Sequence, residues 1–433
     1  MDDVFNLIKL GDGLGVRLWL DSIDLLIDHN QWNSAYNIFS ILANRAEKVK
    51  TWLQISKHLC DRHPIYINQT GLQKVDVDYS SLAKLYRYCA NATNNSGLKD
   101  ITIALRQLEA STLEMCKDYT NSILILKNIL KEKNTLSAGI DLARVYTKNN
   151  QIEMAIRELD RQLLLIEPTK NKKINSDNAN QSIDTDNPVD QDRVNNFNTH
   201  KAALALADLY SIANKSGMEV FLAFGTLLGC MRDGDFLGHD KDIDVGIVGW
   251  EKQYDLCIEL IKSGKFMFDA QFLKQENTYY IPILHKPTGM WIDIFIFHES
   301  NNKLTTAVDF FFGYQQKYSV SNFELKEYNF VDINVLIPKN PSNYLEETYS
   351  NWEVSDPVYV TQLESPSVLD KGGLEFMLSA RITIFSAINK KSPKKIRKVI
   401  SLLKNHSNNR MNFDDITLLK IEEIAKEIEL SIS

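Results

Sequence analysis

Three aspartates stand on alternate positions, Asp240, Asp242 and Asp244, inside the apolar stretch GTLLGCMRDGDFLGHDKDIDVGIV that runs from Gly225 to Val248. In an extended strand successive side chains face opposite ways, so these three carboxylates are expected on one face and Lys241, Ile243 and Val245 on the other. Like charges at that spacing repel one another unless a cation neutralises them, which makes the trio a candidate metal site. Donors that are all oxygen select hard ions such as Mg2+, Mn2+ or Ca2+ over zinc. A calcium loop of the EF-hand type would use the same three aspartates with Glu251, but it requires glycine where Val245 stands. The alternative without any ligand is an acidic strand end solvated by water. That alternative leaves unexplained a further carboxylate, Asp293 in WIDIF, and the Gly225-Thr226 turn just upstream. Such a turn entering a helix offers backbone N–H groups and a positive dipole end to a phosphate. Two strand aspartates with a third from a neighbouring strand can hold Mg2+ beside it, so the set reads as a phosphoryl-transfer site.

The elements around these residues have the patterns needed to position them. HKAALALADLYSIANKSG reads as an amphipathic helix ending at Gly217, MEVFLAF as a strand, and GTLLG as the entry to a second helix. DIDVGIV, TYYIPILH and MWIDIFIF have strand composition, with KPTG as a turn between the last two, and helix returns from about Leu374. This order predicts an α/β (α+β) domain over residues 197–433. Before it, KNKKINSDNANQSIDTDNPVDQDRVNN, residues 170–196, contains no aromatic residue and reads as a flexible linker.

Residues 1–169 carry helical spacing instead, as in AGIDLARVYTKNNQIEMAIRELDRQLLLIEP. That stretch reads as a helical hairpin turning at KNNQ, with Ala143, Tyr146, Ala155 and Leu159 in the order of a tetratricopeptide unit, although Gln162 falls where a small residue is expected. WNSAYNIF and YTNSILIL are weaker echoes, and Ser122 precedes Ala155 by 33 residues, close to the tetratricopeptide period. An irregular helical domain is the competing description. In either form the segment is expected to bind a protein partner, since stacked helical pairs present a concave surface.

Composition sets the outer bounds. The chain has 433 residues, 44% of them hydrophobic, and a formal net charge of -7, which argues against a nucleic-acid partner. Its first residues, MDDVFNLIKLGDGLG, lack the pattern of a signal peptide and no window is apolar enough to span a membrane, so a cytoplasmic location is expected. Five scattered cysteines form no zinc motif and read as reduced core thiols. NKKSPKKIRK places six basic residues between Lys390 and Lys398; it reads either as a solvated helix start or as a peripheral contact with the inner face of a membrane or a lipid-linked acceptor.

Gly225-Thr226, Asp242-Ile243-Asp244 and Asp293 together resemble the nucleotidyltransferase superfamily. The longer string is similar to the signature of the LicD, fukutin and fukutin-related family, with Gly-Thr-Leu-Leu-Gly, then an arginine, then an Asp-x-Asp-x-Asp run. The later IPKNPSNYLEETYSNWEVSDP resembles a second segment of that family through Pro338, Tyr344, Leu345, Tyr349 and Trp352. This chain has Gly238-His239 where many members carry Pro-Trp, which is closer to the fukutin-like branch. The resemblance covers about residues 198–357.

It implies a nucleotidyltransferase fold with a mixed sheet. It also implies an enzyme that moves a phospho-substituent, a polyol phosphate or phosphocholine, from a CDP-activated donor to a sugar hydroxyl of a cell-surface glycan or lipid-linked glycan. In that reading Asp242, Asp244 and Asp293 bind Mg2+ or Mn2+, and Asp293 alternatively takes the acceptor's proton. Asp240 supports the metal site. Gly225, Thr226, Gly229 and Arg232 contact phosphate, with an ion pair to Asp233 or Asp235 as the alternative for Arg232, and His239 assists proton transfer or binds phosphate, with a hydrogen-bonded histidine beside the site as the alternative. Two other readings stay open: nucleotidyl transfer with release of pyrophosphate, and a helical interaction protein with a degenerate transferase domain.

Overall fold

The computed structural model describes residues 79–95, 97–167, 197–238, 240–268, 272–404 and 412–432, together with the single positions Ile23, Leu25, Leu26, Ser34 and Ile38. The predicted linker, the WNSAYNIF echo apart from Ser34 and Ile38, Cys60 and His239 lie outside the described residues. Contacts divide the chain into two compact units, a helical one through Ile166 and one that contains everything described from Phe197 onward.

In the helical unit the structure describes five helices with their bounds: α1 (Tyr79–Asn95), α2 (Lys99–Met115), α3 (Tyr119–Glu132), α4 (Leu136–Lys148) and α5 (Ile152–Leu164). Each packs chiefly on its sequence neighbours. Caps fix the boundaries: the Asp118 side chain accepts the Asn121 N–H and the Thr135 hydroxyl accepts the Ala138 N–H. The predicted hairpin is α4 and α5, turning at Asn149 to Gln151. Gln162 is fully buried and lies over Gly139, where an added Cβ would collide with its side chain. The large residue on one helix is therefore matched by the absence of a side chain on the other.

Charge is also buried in this unit, and it is balanced. Glu114 receives Arg144 at 2.9 Å and Lys148 at 2.6 Å, and Arg144 also pairs with Asp141 at 2.8 Å. Glu109, fully buried, receives Arg87 at 2.6 Å and Arg106 at 3.2 Å. Burial alone would raise the Glu114 carboxyl, but the two cations outweigh it and hold it at about 2.

Among the described residues the second unit has nine strands. The order along the main sheet is β3 (Phe266–Phe268), β4 (Tyr280–His285), β5 (Met290–Ser300), β2 (Ile243–Val248), β1 (Phe221–Leu222), β9 (Ile333–Pro338) and β8 (Leu325–Phe330). Strand β6 (Lys303–Asp309) pairs with the far end of β5 and with β7 (Gln315–Ser321). The sheet is mixed, as predicted: β2 runs parallel to β5 and β1 parallel to β9, while the other pairs are antiparallel. The strand expected over MEVFLAF shrinks to Phe221 and Leu222, because the chain turns at Ala223 into the next helix.

Helix α6 (Thr199–Lys215) is capped by the Asn198 side chain. The apolar α7 (Phe224–Arg232) follows β1, and α8 (Lys252–Lys262) follows β2. Their inward residues join those of β1, β2, β4 and β5 in one core that includes Leu206, Leu209, Leu227, Ile243, Val245, Ile292, Ile294 and Phe297. Helices α9 (Pro341–Tyr349), α10 (Thr361–Glu364), α11 (Leu374–Asn389), α12 (Pro393–Lys404) and α13 (Asp415–Ile432) complete the unit. In the basic run, Arg397 pairs with Glu429 at 2.6 Å and Lys398 with Glu364 at 2.8 Å, so two of its charges are bound within the protein. Among the described residues no helix is long and apolar enough to cross a membrane. Cys89, Cys230 and Cys257 are buried and form no disulfide, but Cys116 is exposed, unlike the core thiol expected there.

Candidate active site

The aspartates converge where β2 begins. Strand β2 starts at Ile243, so Asp244 is on the strand while Asp240 and Asp242 approach through the preceding turn rather than by strand alternation. The parallel register places Asp244 directly opposite Asp293 on β5. Asp242, Asp244 and Asp293 each bring one carboxylate oxygen within 4.8 Å of the others, with Asp293 buried. These three residues, separated by up to 51 positions in sequence, form one cluster.

Local sequence explains how Asp244 is held. The Gly225 N–H at the start of α7 donates to Asp244 Oδ2 at 2.8 Å, and the Asp244 N–H donates to Thr226 Oγ1 at 2.8 Å. A Cβ at Gly225 would lie 2.9 Å from Asp244 Oδ2 and 3.4 Å from Asp240 Oδ1, so only glycine lets the helix start this close to both carboxylates. Thr226 is fully buried. The Gly-Thr turn therefore grips the central aspartate, through the Gly225 N–H and the Thr226 hydroxyl oxygen.

Gly229 has a different neighbour. A Cβ there would lie 2.6 Å from the Asp235 carbonyl oxygen, so its bare backbone lets the 235–237 segment cross α7 and deliver the chain to Asp240. Arg232 bonds Asp233 at 3.0 and 3.2 Å through two nitrogens. Its charge also reaches Asp240.

Electrostatics set this cluster apart. Burial and the neighbouring carboxylates of Asp242, Asp240 and Asp293 push Asp244 well above the usual carboxylate range, and the Gly225 N–H only partly opposes them. Burial lifts Asp240 to about 7, against the Leu237 backbone and Arg232. Asp240 Oδ2 is a buried oxygen without a hydrogen-bond partner. A hard divalent cation fits this donor set, since it would offset the repulsion that these side chains otherwise sustain.

Two features escaped the sequence. Tyr280, at the start of β4, directs its hydroxyl to Asp293 Oδ2 at 2.9 Å. Within the Pro338-to-Trp352 segment, whose aromatic residues have no role assigned from sequence, Pro341–Tyr349 form α9 against α7. Tyr344 packs edge-on to Phe224 at 6.3 Å, and the Tyr349 hydroxyl is raised by burial and by the nearby Asp244 charge. Phe224 itself has φ of 37°, a strained value for a side-chain-bearing residue, and is clamped between Phe295 at 4.5 Å and Tyr344. The two sequence motifs thus meet through aromatic packing behind the aspartates.

Residues 217–340 match the LicD/FKTN/FKRP, nucleotidyltransferase domain family. Ribitol-5-phosphate transferase FKTN of Macaca fascicularis is 26% identical over 190 residues, 42% of this chain and 40% of that protein. The human protein of the same name is 26% identical over 164 residues, 37% of this chain and 34% of its own length. An uncharacterised protein of Rickettsia typhi is 25% identical over 172 residues, 37% of this chain and 50% of that protein. The matched part spans about two fifths or less of the length of the FKTN relatives.

Proposed function

We propose, from the premise that residues 217–340 form a domain of the LicD, fukutin and fukutin-related type, that this protein is a metal-dependent phosphotransferase acting on a glycan. Its donor is a CDP-activated polyol phosphate or phosphocholine, and its acceptor is a sugar hydroxyl of a cell-surface or lipid-linked glycan. The observation that carries this reading is the convergence of Asp242, Asp244 and Asp293 at the start of α7, inside the matched domain. The FKTN relatives, named as ribitol-5-phosphate transferases, support a polyol phosphate as the group moved.

In this reading Asp242, Asp244 and Asp293 hold Mg2+ or Mn2+. The bound ion would supply positive charge to a diphosphate and to the nucleotide that departs. Gly225 and Thr226 fix Asp244 for that task. Arg232, which pairs with Asp233 and whose charge reaches Asp240, is assigned to a donor phosphate, and His239 to proton transfer. The acceptor oxygen forms a bond to the phosphorus that carries the substituent, and the bond from that phosphorus to the CMP oxygen breaks. CMP leaves, and the hydroxyl proton passes to a basic group of the site. We assign the helical unit, read as tetratricopeptide-like, to a protein partner. Exposed Leu124, Met154, Leu164 and Leu165 support a contact surface there.

The test is turnover of CDP-ribitol, CDP-glycerol, CDP-choline, CTP and ATP with Mg2+ and a glycan extract. Release of CMP from one conjugate, lost in the Asp242→Ala/Asp244→Ala variant, is the expected result. Pyrophosphate release from CTP or ATP would move the protein to nucleotidyl transfer, and silence from every donor would overturn the enzymatic reading.

A further inference from the structure

We infer that Tyr280 is a positioning residue for the metal site, setting the orientation of the Asp293 carboxylate through its hydroxyl; this rests on the metal-dependent reading above.

An aspartate carboxylate is torsionally soft. Rotation about the bond to the carboxylate is broad and nearly two-fold, so a strand can fix where the group lies without fixing which way its plane faces. Asp293 needs that plane fixed, because it is contributed from β5, while Asp244 lies on β2 and Asp242 in the turn before it. On its other side lies β4, where Pro282 is directly opposite Asp293. Tyr280 precedes Pro282 by two positions, so it shares a face with Pro282 and sits diagonally across from Asp293, within reach of a long side chain. Its hydroxyl can donate to Asp293 Oδ2 at 2.9 Å. The ring is held in turn by Phe272 at 6.1 Å and Phe295 at 5.7 Å. This arrangement does for Asp293 what the Gly225 N–H does for Asp244: each strand aspartate receives one donor from a rigid neighbour, and the two donors come from opposite sides of the cluster. Such outer partners of metal ligands typically change affinity about 10- to 100-fold when removed.

The experiment uses the full chain stripped of metal, with Mn2+ titrated by calorimetry and electron paramagnetic resonance into wild type, Tyr280→Phe and, as a control, Tyr210→Phe. Tyr210 also buries its hydroxyl, 3.5 Å from the Leu336 carbonyl, but lies among the core residues of α6 and not on Asp293. Tyr280→Phe is expected to weaken Mn2+ binding about 10- to 100-fold while the melting temperature without metal stays that of wild type, and Tyr210→Phe is expected to bind as wild type does. Equal Mn2+ affinity in wild type and Tyr280→Phe would overturn the role of Tyr280 and leave the transferase reading standing. A wild type that binds no Mn2+ would overturn both. A loss of affinity matched by a fall in the metal-free melting temperature would overturn positioning in favour of a structural role for the hydroxyl.

Discussion

The two units bury carboxylates in opposite ways. In the helical unit Glu109, Glu114 and Asp141 each meet a guanidinium or an ammonium group from the same or a neighbouring helix. In the other unit Asp242, Asp244 and Asp293 meet one another, and Asp244 is pushed up by burial and by the charges of Asp242, Asp240 and Asp293. Balanced charge contributes to holding helices in register. Charge gathered with one sign contributes nothing of that kind and destabilises the fold until something positive arrives. The comparison teaches which unit keeps a structure and which keeps a site.

The contrast breaks most sharply under mutation. Asp242→Ala with Asp244→Ala is expected to lower CMP release about 10³-fold, since a bound metal contributes several kcal/mol to such a transition state. The folded C-terminal unit should persist, and its metal-free melting temperature should not fall, because removing mutually repelling groups relieves strain. A large fall in that temperature would argue that the aspartates are structural. Arg144→Ala should do the reverse. It takes the cation from Asp141 and one of the two cations from Glu114, and urea melts should show the helical unit destabilised by about 3–5 kcal/mol, with turnover per folded molecule unchanged.

Gly225→Ala sharpens the account from within the site. The new Cβ must displace the Asp244 carboxylate, so Mn2+ affinity should drop about 10-fold or more, with a smaller change in stability. The smallest expected effect is in pH. Glu114 is held at about 2 against an ordinary 4.5, so its contribution is present above 4.5 and is lost as pH falls toward 2. Asp240 is raised from 3.8 to about 7, so its contribution in the metal-free protein is present below 3.8 and is lost as pH rises through 7. Calorimetric scans without metal should therefore show the C-terminal unit melting lower at pH 8 than at pH 5, by a shift on the order of 3 °C, and added Mg2+ should abolish that difference. A C-terminal unit that melts alike at both pH values would contradict the reading of Asp240.

Much of this was legible in the chain itself. The Gly225-to-Val248 string located the turn, the helix and the aspartates, and the spacing of WIDIF located the third carboxylate, because an apolar strand that tolerates a buried aspartate is uncommon. Other parts left no local signal. The β8–β9 hairpin turns at Val331 and Asp332 with φ of 46° and 64°, a conformation usually carried by Asn-Gly or Asp-Gly, so NFVDIN gave no turn to read. Tyr280 was invisible because its function depends on the register between β4 and β5, which sequence spacing does not encode. Gly225 and Thr226 were read as a turn whose backbone N–H groups face a phosphate. Which partner takes those groups depends on how closely α7 approaches β2, and that is a property of packing.

The most direct test of the central claim is divalent-cation binding by the full chain, titrated with Mn2+ in wild type and in Asp293→Asn. The account predicts saturable binding at the aspartate cluster that is lost or strongly weakened in the variant, since removing one of three converging carboxylates removes both a ligand and a charge. Binding that is absent in wild type, or identical in the two proteins, would contradict it.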